Sequence, residues 1–125
     1  MFTPTIERVS ADERGEIYSI TLPDGQELLL IHSKKGSWRG GHSHDVDEMV
    51  VMLTGSMAYQ KRDDEKGESL TWMSPGDFSF NRAGLIHMGE FQEDSWLIEH
   101  KLNTKKGAWS NRDWAPWREK VLSNV

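Results

Sequence analysis

Residues 36–55 read GSWRGGHSHDVDEMVVMLTG, with two histidines one residue apart, a glutamate four residues after the second, and a glycine at each end. Within EMVVML (48–53) a period of two sets Glu48, Val50 and Met52 on one face and Met49, Val51 and Leu53 on the other. Both faces carry apolar side chains. This pattern predicts a strand in a layered β structure, one face toward an interior and the other toward a second sheet or a partner subunit. The same period turns His42 and His44 to one face of the segment leading in, so two imidazoles and, after a short bend, a carboxylate can converge. A lone interior carboxylate is costly to keep ionised, whereas imidazole and carboxylate together suit zinc, iron, manganese, nickel or copper. At this composition, His-x-His followed by three residues and Glu arises by chance only roughly 0.02 times in such a chain, so the cluster calls for a chemical explanation.

Outward from this stretch the chain is a series of short alternating or apolar runs. EIYSITL (16–22) and ELLLIHS (27–33) flank PDGQ, whose proline, aspartate and glycine are turn formers, and together they predict a hairpin. SMAYQK, LTWM, FSFN, IHMGEF and SWLIEHKL follow EMVVML, broken by RDDEKGE, SPGD, NRAG and QED. Many short strands at this spacing predict an all-β sandwich or barrel. The tail SNRDWAPWREKVLSN differs: Asp113 or Ser110 as N-cap, Pro116 near a first turn and good helix formers afterwards predict one short helix over about 113–123.

Composition narrows the class. The 125 residues fit one domain, 1–125. The net charge of −5, with 15 basic residues scattered along the chain, argues against nucleic acid as a partner. The chain has no cysteine, which excludes disulfides, thiolate metal sites and a cysteine nucleophile. The opening MFTPTIERVSADERGE lacks a basic-then-apolar leader, and the apolar run MVVML is far short of the ~20 residues of a membrane span. A soluble, cytoplasmic protein is the expectation.

About thirty residues beyond the first histidines lies PGDFSFNRAGLIHMGEF (75–91). With this second stretch the chain resembles the cupin family. The family's first signature, Gly, five residues, His-x-His, three residues, Glu, six residues, Gly, is met at Gly36, His42, His44, Glu48 and Gly55. Its second is met at Gly76, Gly84 and His87, with Arg82 where proline is usual and Phe91 where asparagine is usual.

The resemblance implies a single cupin domain: an antiparallel double-stranded β-helix, or jelly-roll barrel. It also implies one divalent transition metal (Fe, Mn, Ni, Zn or Cu) held by His42, His44, Glu48 and His87, with positions left for water, substrate or dioxygen. The function implied is a metal-dependent enzyme acting on a small organic substrate, oxygen-rich or carboxylate-bearing. Dioxygenase chemistry goes with a redox metal, isomerase or lyase chemistry with zinc or manganese, and Glu48 is a candidate proton shuttle. The alternative is a non-catalytic cupin that binds or senses a small ligand. Small single-domain relatives also imply a homodimer.

The remaining candidates each have two readings. Arg82 could hold an anionic substrate at the barrel mouth or be a solvent-facing turn residue. Met52, Phe80 and Phe91, with Phe78, could wall a ligand site or be plain core. His32 and His100 are expected at the surface or rim. Asp45, Asp47, Asp63 and Asp64 fall in loop stretches facing water. Three of six tryptophans, Trp109, Trp114 and Trp117, lie in the tail, which is expected to pack on the barrel or a second subunit and to cover the mouth.

Overall fold

The computed structural model describes residues 5–123. Among them are eleven strands and one helix: β1 (Thr5–Asp12), β2 (Gly15–Thr21), β3 (Gln26–Ser33), β4 (Trp38–His44), β5 (Glu48–Thr54), β6 (Met57–Asp63), β7 (Gly67–Met73), β8 (Phe78–Asn81), β9 (Ile86–Phe91), β10 (Ser95–Lys105), β11 (Asn111–Asp113) and α1 (Ala115–Ser123). They form two antiparallel sheets, one in the order β1-β2-β3-β10-β5-β8 and the other β11-β4-β9-β6-β7. Beyond the consecutive β1-β2-β3 and β6-β7 pairs, the chain crosses between the sheets repeatedly, so that β3, β5 and β8 or β4, β6 and β9 meet partners distant in sequence; this is the jelly-roll arrangement.

The β2–β3 hairpin forms at PDGQ as its turn residues dictate. Leu22 N donates to Gln26 O at 2.8 Å, Gly25 N to Leu22 O at 3.0 Å, and Asp24 Oδ1 accepts from Gln26 N at 2.9 Å. Strand β5 alternates as its sequence requires: Glu48, Val50 and Met52 are buried, Met49 and Val51 half-buried, and Leu53 exposed. The inner faces meet in a core of Ile31, Val50, Met52 and Leu97 from the first sheet against Met57, Tyr59, Met73 and Phe91 from the second. Burying each large apolar side chain contributes about 1.5–3 kcal/mol, and this closed core holds the two sheets together. Outside it, Trp117 of α1 packs with Ile86 and Met88 against the back of the second sheet, with Trp38, Trp114, Val121 and Leu122 around them.

Two segments depart from the sequence reading. Strand β1 lacks a period-two pattern because, as an edge strand, it leaves Ile6 and Val9 exposed. In the tail, residues 111–113 pair with β4 as a short strand instead of opening the helix. Trp114 therefore caps α1, its carbonyl accepting from Arg118 N at 3.0 Å. Asp113 instead binds Arg118 Nη1 at 2.7 Å, and Ser110 bonds Asp45. No helix among the described residues is long and apolar enough to cross a membrane.

Candidate metal centre

Strand β4 carries the first two histidines and contains an irregularity that decides what faces inward. Gly40 pairs with Met88 and His42 with His87, so one extra residue stands on β4 between these pairs. In a regular strand Arg39 and His42, three positions apart, would point to opposite faces. The bulge reverses the alternation, and both line the same interior cavity. Gly40 (φ +99°) and Gly41 (φ +80°) supply the left-handed backbone this needs.

His42, His44 and His87 then converge, with ligand nitrogens within 4.8 Å of one another. Glu48, fully buried, opens β5 beside them, its Oε2 3.1 Å from His44 Nε2 and its Oε1 3.5 Å from His87 Nε2. The four residues of the sequence motifs thus come together from three strands. Their orientation is fixed from behind. His44 Nδ1 donates to Asn111 Oδ1, and His87 Nδ1 donates to Leu85 O at 3.2 Å. With Nδ1–H committed to oxygen acceptors, each Nε2 carries its lone pair toward the centre. Glu48 is held on both flanks of its strand: Asn81, its register partner on β8, donates Nδ2 to Oε1 at 3.2 Å, and Lys101, its partner on β10, places Nζ 2.9 Å from Oε2. Asn81 is itself fixed by Tyr59 and Ser79.

The Lys101 contact is an ion pair not aligned as a hydrogen bond. Glu48 Oε2, His44 Nε2 and His87 Nε2 are consequently buried atoms with no hydrogen-bond partner. Unmatched buried polar atoms are uncommon and costly, and three of them converging from imidazole and carboxylate form the donor set of a divalent transition metal. The residues present fit the metal.

The electrostatics suit metal binding. Burial, with His87 and His44 alongside, lowers the pKa of His42 to about 3. Burial lowers that of His87 to about 4, with Glu48 opposing and His44 reinforcing the shift. Burial alone would raise the Glu48 carboxyl, but the Lys101 ammonium 2.9 Å away holds it below the usual carboxylate range even with the imidazoles neutral. At neutral pH the centre therefore offers neutral His42 and His87 imidazoles and an ionised Glu48, the forms that bind metal.

A stability prediction follows for the metal-free protein. Unfolded histidine titrates near ~6.5, so between that pH and about 4 the unfolded chain binds protons that His42 and His87 refuse when folded. Stability should fall as pH drops through this window, by up to about 1.4 kcal/mol per pH unit for each group. Urea unfolding at half-unit pH steps measures it, and a flat profile would contradict the buried, neutral imidazoles.

His42 and His44 open onto a cavity of about 410 Å³, walled by Ile17, Leu29 and Ile31 on one side and by Trp109, Lys101 and Glu99 on another. Trp109 reaches it from the tail, its ring edge-on to His44 at 5.2 Å and under Lys101 Nζ at 4.2 Å. The other candidates lie elsewhere. Arg82 is half-exposed, pairs with Asp63 at 2.9 Å, and shares a separate surface depression with Phe80. Phe78 and Phe80 are exposed on the outer face of the first sheet, where period two turns them from the core, while Met52 and Phe91 belong to the closed core. His32 bonds Glu16 at 2.8 Å and stacks on Trp96, and His100 bonds Gln26 at 3.0 Å, neither lining the cavity.

Sequence reading passed over Arg39, Glu99, Lys101, Asn81, Tyr59 and Asn111. A signal existed for two of them: period two along SWLIEHKL sets Glu99 and Lys101 on the same face as Leu97, an inward charge pair.

No protein-family model matches the sequence, and no curated protein matches it. Solved structures do. CapF, the capsular polysaccharide assembling protein of Staphylococcus aureus, superposes with a TM-score of 0.71 at 17% identity over 90% of this chain and 34% of that one. Oxalate decarboxylase from Bacillus subtilis gives 0.67 at 18% identity over 94% of this chain and 34% of that one. KdgF from Halomonas sp. gives 0.63 at 14% identity over 76% of this chain and 86% of that one. The chain spans about a third of the length of the CapF and oxalate decarboxylase chains. At such identities the likeness concerns the fold, and with two antiparallel jelly-roll sheets and one short C-terminal helix this chain has the cupin fold.

Proposed function

We propose that the protein is a metal-dependent cupin enzyme acting on a small oxygen-rich or carboxylate-bearing organic molecule. The observation that carries this reading is the trio of buried donor atoms without hydrogen-bond partners on His44, Glu48 and His87, set with His42 beside a cavity of about 410 Å³. That volume suits one small ligand. A metal bound there would supply Lewis-acid chemistry or, if redox-active, access to dioxygen chemistry.

The chain's own residues have separate tasks. Asn111 and the Leu85 carbonyl hold the His44 and His87 rings in one tautomer. Lys101 and Asn81 keep Glu48 in place. Ile17, Leu29, Ile31 and Trp109 give the cavity apolar walls that exclude water and strengthen every charge interaction inside it. Glu99, raised by burial and by the Glu48 charge, is a proton carrier in that wall.

The test is a panel of small oxo-, hydroxy- and dicarboxylic acids incubated with metal-reconstituted protein and followed by proton NMR, with and without oxygen. Turnover that needs oxygen identifies an oxygenase, and turnover without it an isomerase or lyase. Saturable binding throughout the panel with no turnover would contradict the enzyme reading in favour of a non-catalytic ligand-binding cupin.

A further inference from the structure

Four cationic side chains line the cavity: Arg14, Arg39, Lys101 and Arg118. Three of them have carboxylate partners: Arg14 with Asp12 at 2.9 Å, Lys101 with Glu48 at 2.9 Å, and Arg118 with Asp113 at 2.7 Å. Among the described residues Arg39 has no carboxylate within 4 Å. Its Nε donates to Ser33 Oγ and its Nη2 to the His32 carbonyl at 3.0 Å, both neutral acceptors on the facing sheet, while Nη1 donates to no group among the described residues. These two bonds fix the guanidinium plane and leave it without a direct ion pair, its charge offset only at longer range by Asp12, Glu99 and Glu16. The group is half-buried, and desolvation lowers its pKa. Removing a charge from water without a counter-ion is costly, and folded chains ordinarily pair such a group.

The backbone is also committed to this placement. Only the bulge at Gly40 and Gly41 allows Arg39 to share the interior face with His42. An arginine whose sole task was to tie β4 to β3 would not need a metal-ligand cavity around it. Ile17, Leu29 and Ile31 give that cavity an apolar wall.

We propose that Arg39 is the anchoring subsite for the carboxylate of a small organic acid, whose apolar portion lies against Ile17, Leu29 and Ile31. The anion supplies the direct ion pair that the longer-range carboxylates do not, and the planar guanidinium presents Nη1 together with its fixed neighbours to a carboxylate edge. The assignment deepens the proposed function, on which it rests for the role of the neighbouring metal centre, by naming the ligand class as a carboxylate with an apolar flank.

Binding is followed through the indole NMR signals of Trp38 and Trp109, both of which line the cavity. The probes are butyrate and its neutral counterpart butyramide, titrated into the full chain as purified and again after chelator treatment. Saturable shifts with butyrate and none with butyramide are expected in both preparations. R39Q should weaken butyrate about tenfold or more, R39K less, and R82Q not at all. A purely structural Arg39 would lower the unfolding midpoint in R39Q yet leave the preference for butyrate over butyramide intact, which overturns the proposal. Butyrate binding that chelation abolishes and R39Q spares also overturns it, by sending the carboxylate to the metal. Arg39-dependent binding in a protein that takes up no metal would uphold the subsite and sink the metalloenzyme reading, so the two fail separately. Absence of butyrate binding to the wild type overturns the subsite outright.

Discussion

Glu48→Ala is expected to destabilise the metal-free protein by about 3–5 kcal/mol, the usual cost of removing one partner from a buried ion pair. Glu48 is 0% exposed and lies within 2.9 Å of Lys101 Nζ. Without it, Glu99, at 3.5 Å, is the one carboxylate left to Lys101 among the described residues, and Asn81 loses the acceptor for one of its amide hydrogens. The loss should appear as a lower urea midpoint with an unchanged slope. Glu48→Gln separates the causes, because it preserves volume and an acceptor for Asn81 while removing the charge. If charge compensation dominates, both variants fall; if packing dominates, only alanine does. Midpoints unchanged in both would contradict the ion-pair account.

Gly40→Ala is expected to cost about 2–4 kcal/mol, combining backbone strain with overpacking. A Cβ at that position would stand 2.8 Å from the His87 carbonyl oxygen and 3.1 Å from Met88 Cα, backbone atoms that the β4–β9 ladder holds in place. The φ of +99° adds strain of its own. Gly36→Ala is the comparison: its φ is +83° but nothing lies within 4 Å of the added carbon, so it reports strain without the clash. Gly40→Ala should be the more destabilised of the two and should also bind metal more weakly, since the clash falls on the strand carrying His87. Equal costs would mean that the close approach of β4 to β9 is unimportant.

How much of this was legible in the sequence depended on whether each feature is local. The alternation of EMVVML and the turn residues of PDGQ act over a few positions, and the strand and hairpin they predict are present. His42, His44 and Glu48 lie within seven residues, so period two was enough to bring them together. His87 was reached through the resemblance of a second motif, and the structure sets it opposite His42 across β4 and β9.

What was not legible comes from distant strands or broken periodicity. Lys101 and Asn81 flank Glu48 in space because β10 and β8 pair with β5, a topology that no local pattern specifies. Arg39 was hidden by the bulge, since regular alternation turns it away from His42. Arg82 drew attention by its place in the second motif, yet its nearest carboxylate is Asp63 on β6, and that pair sits at the surface. In the tail, the Asp113 side chain is bonded to Arg118 while its backbone pairs with His42, so a competent capping residue became part of a strand instead.

The central claim is that His42, His44, Glu48 and His87 hold one metal ion. The most direct test is elemental mass spectrometry of untagged protein purified without chelator, beside His44→Ala and His87→Ala variants shown by circular dichroism to be folded. The predicted result is about one transition metal per chain in the wild type, lost in both variants, with four protein ligands in the coordination sphere. Wild-type protein that takes up no metal after reconstitution with iron, manganese, nickel, copper or zinc, or variants that retain it in full, would contradict the account.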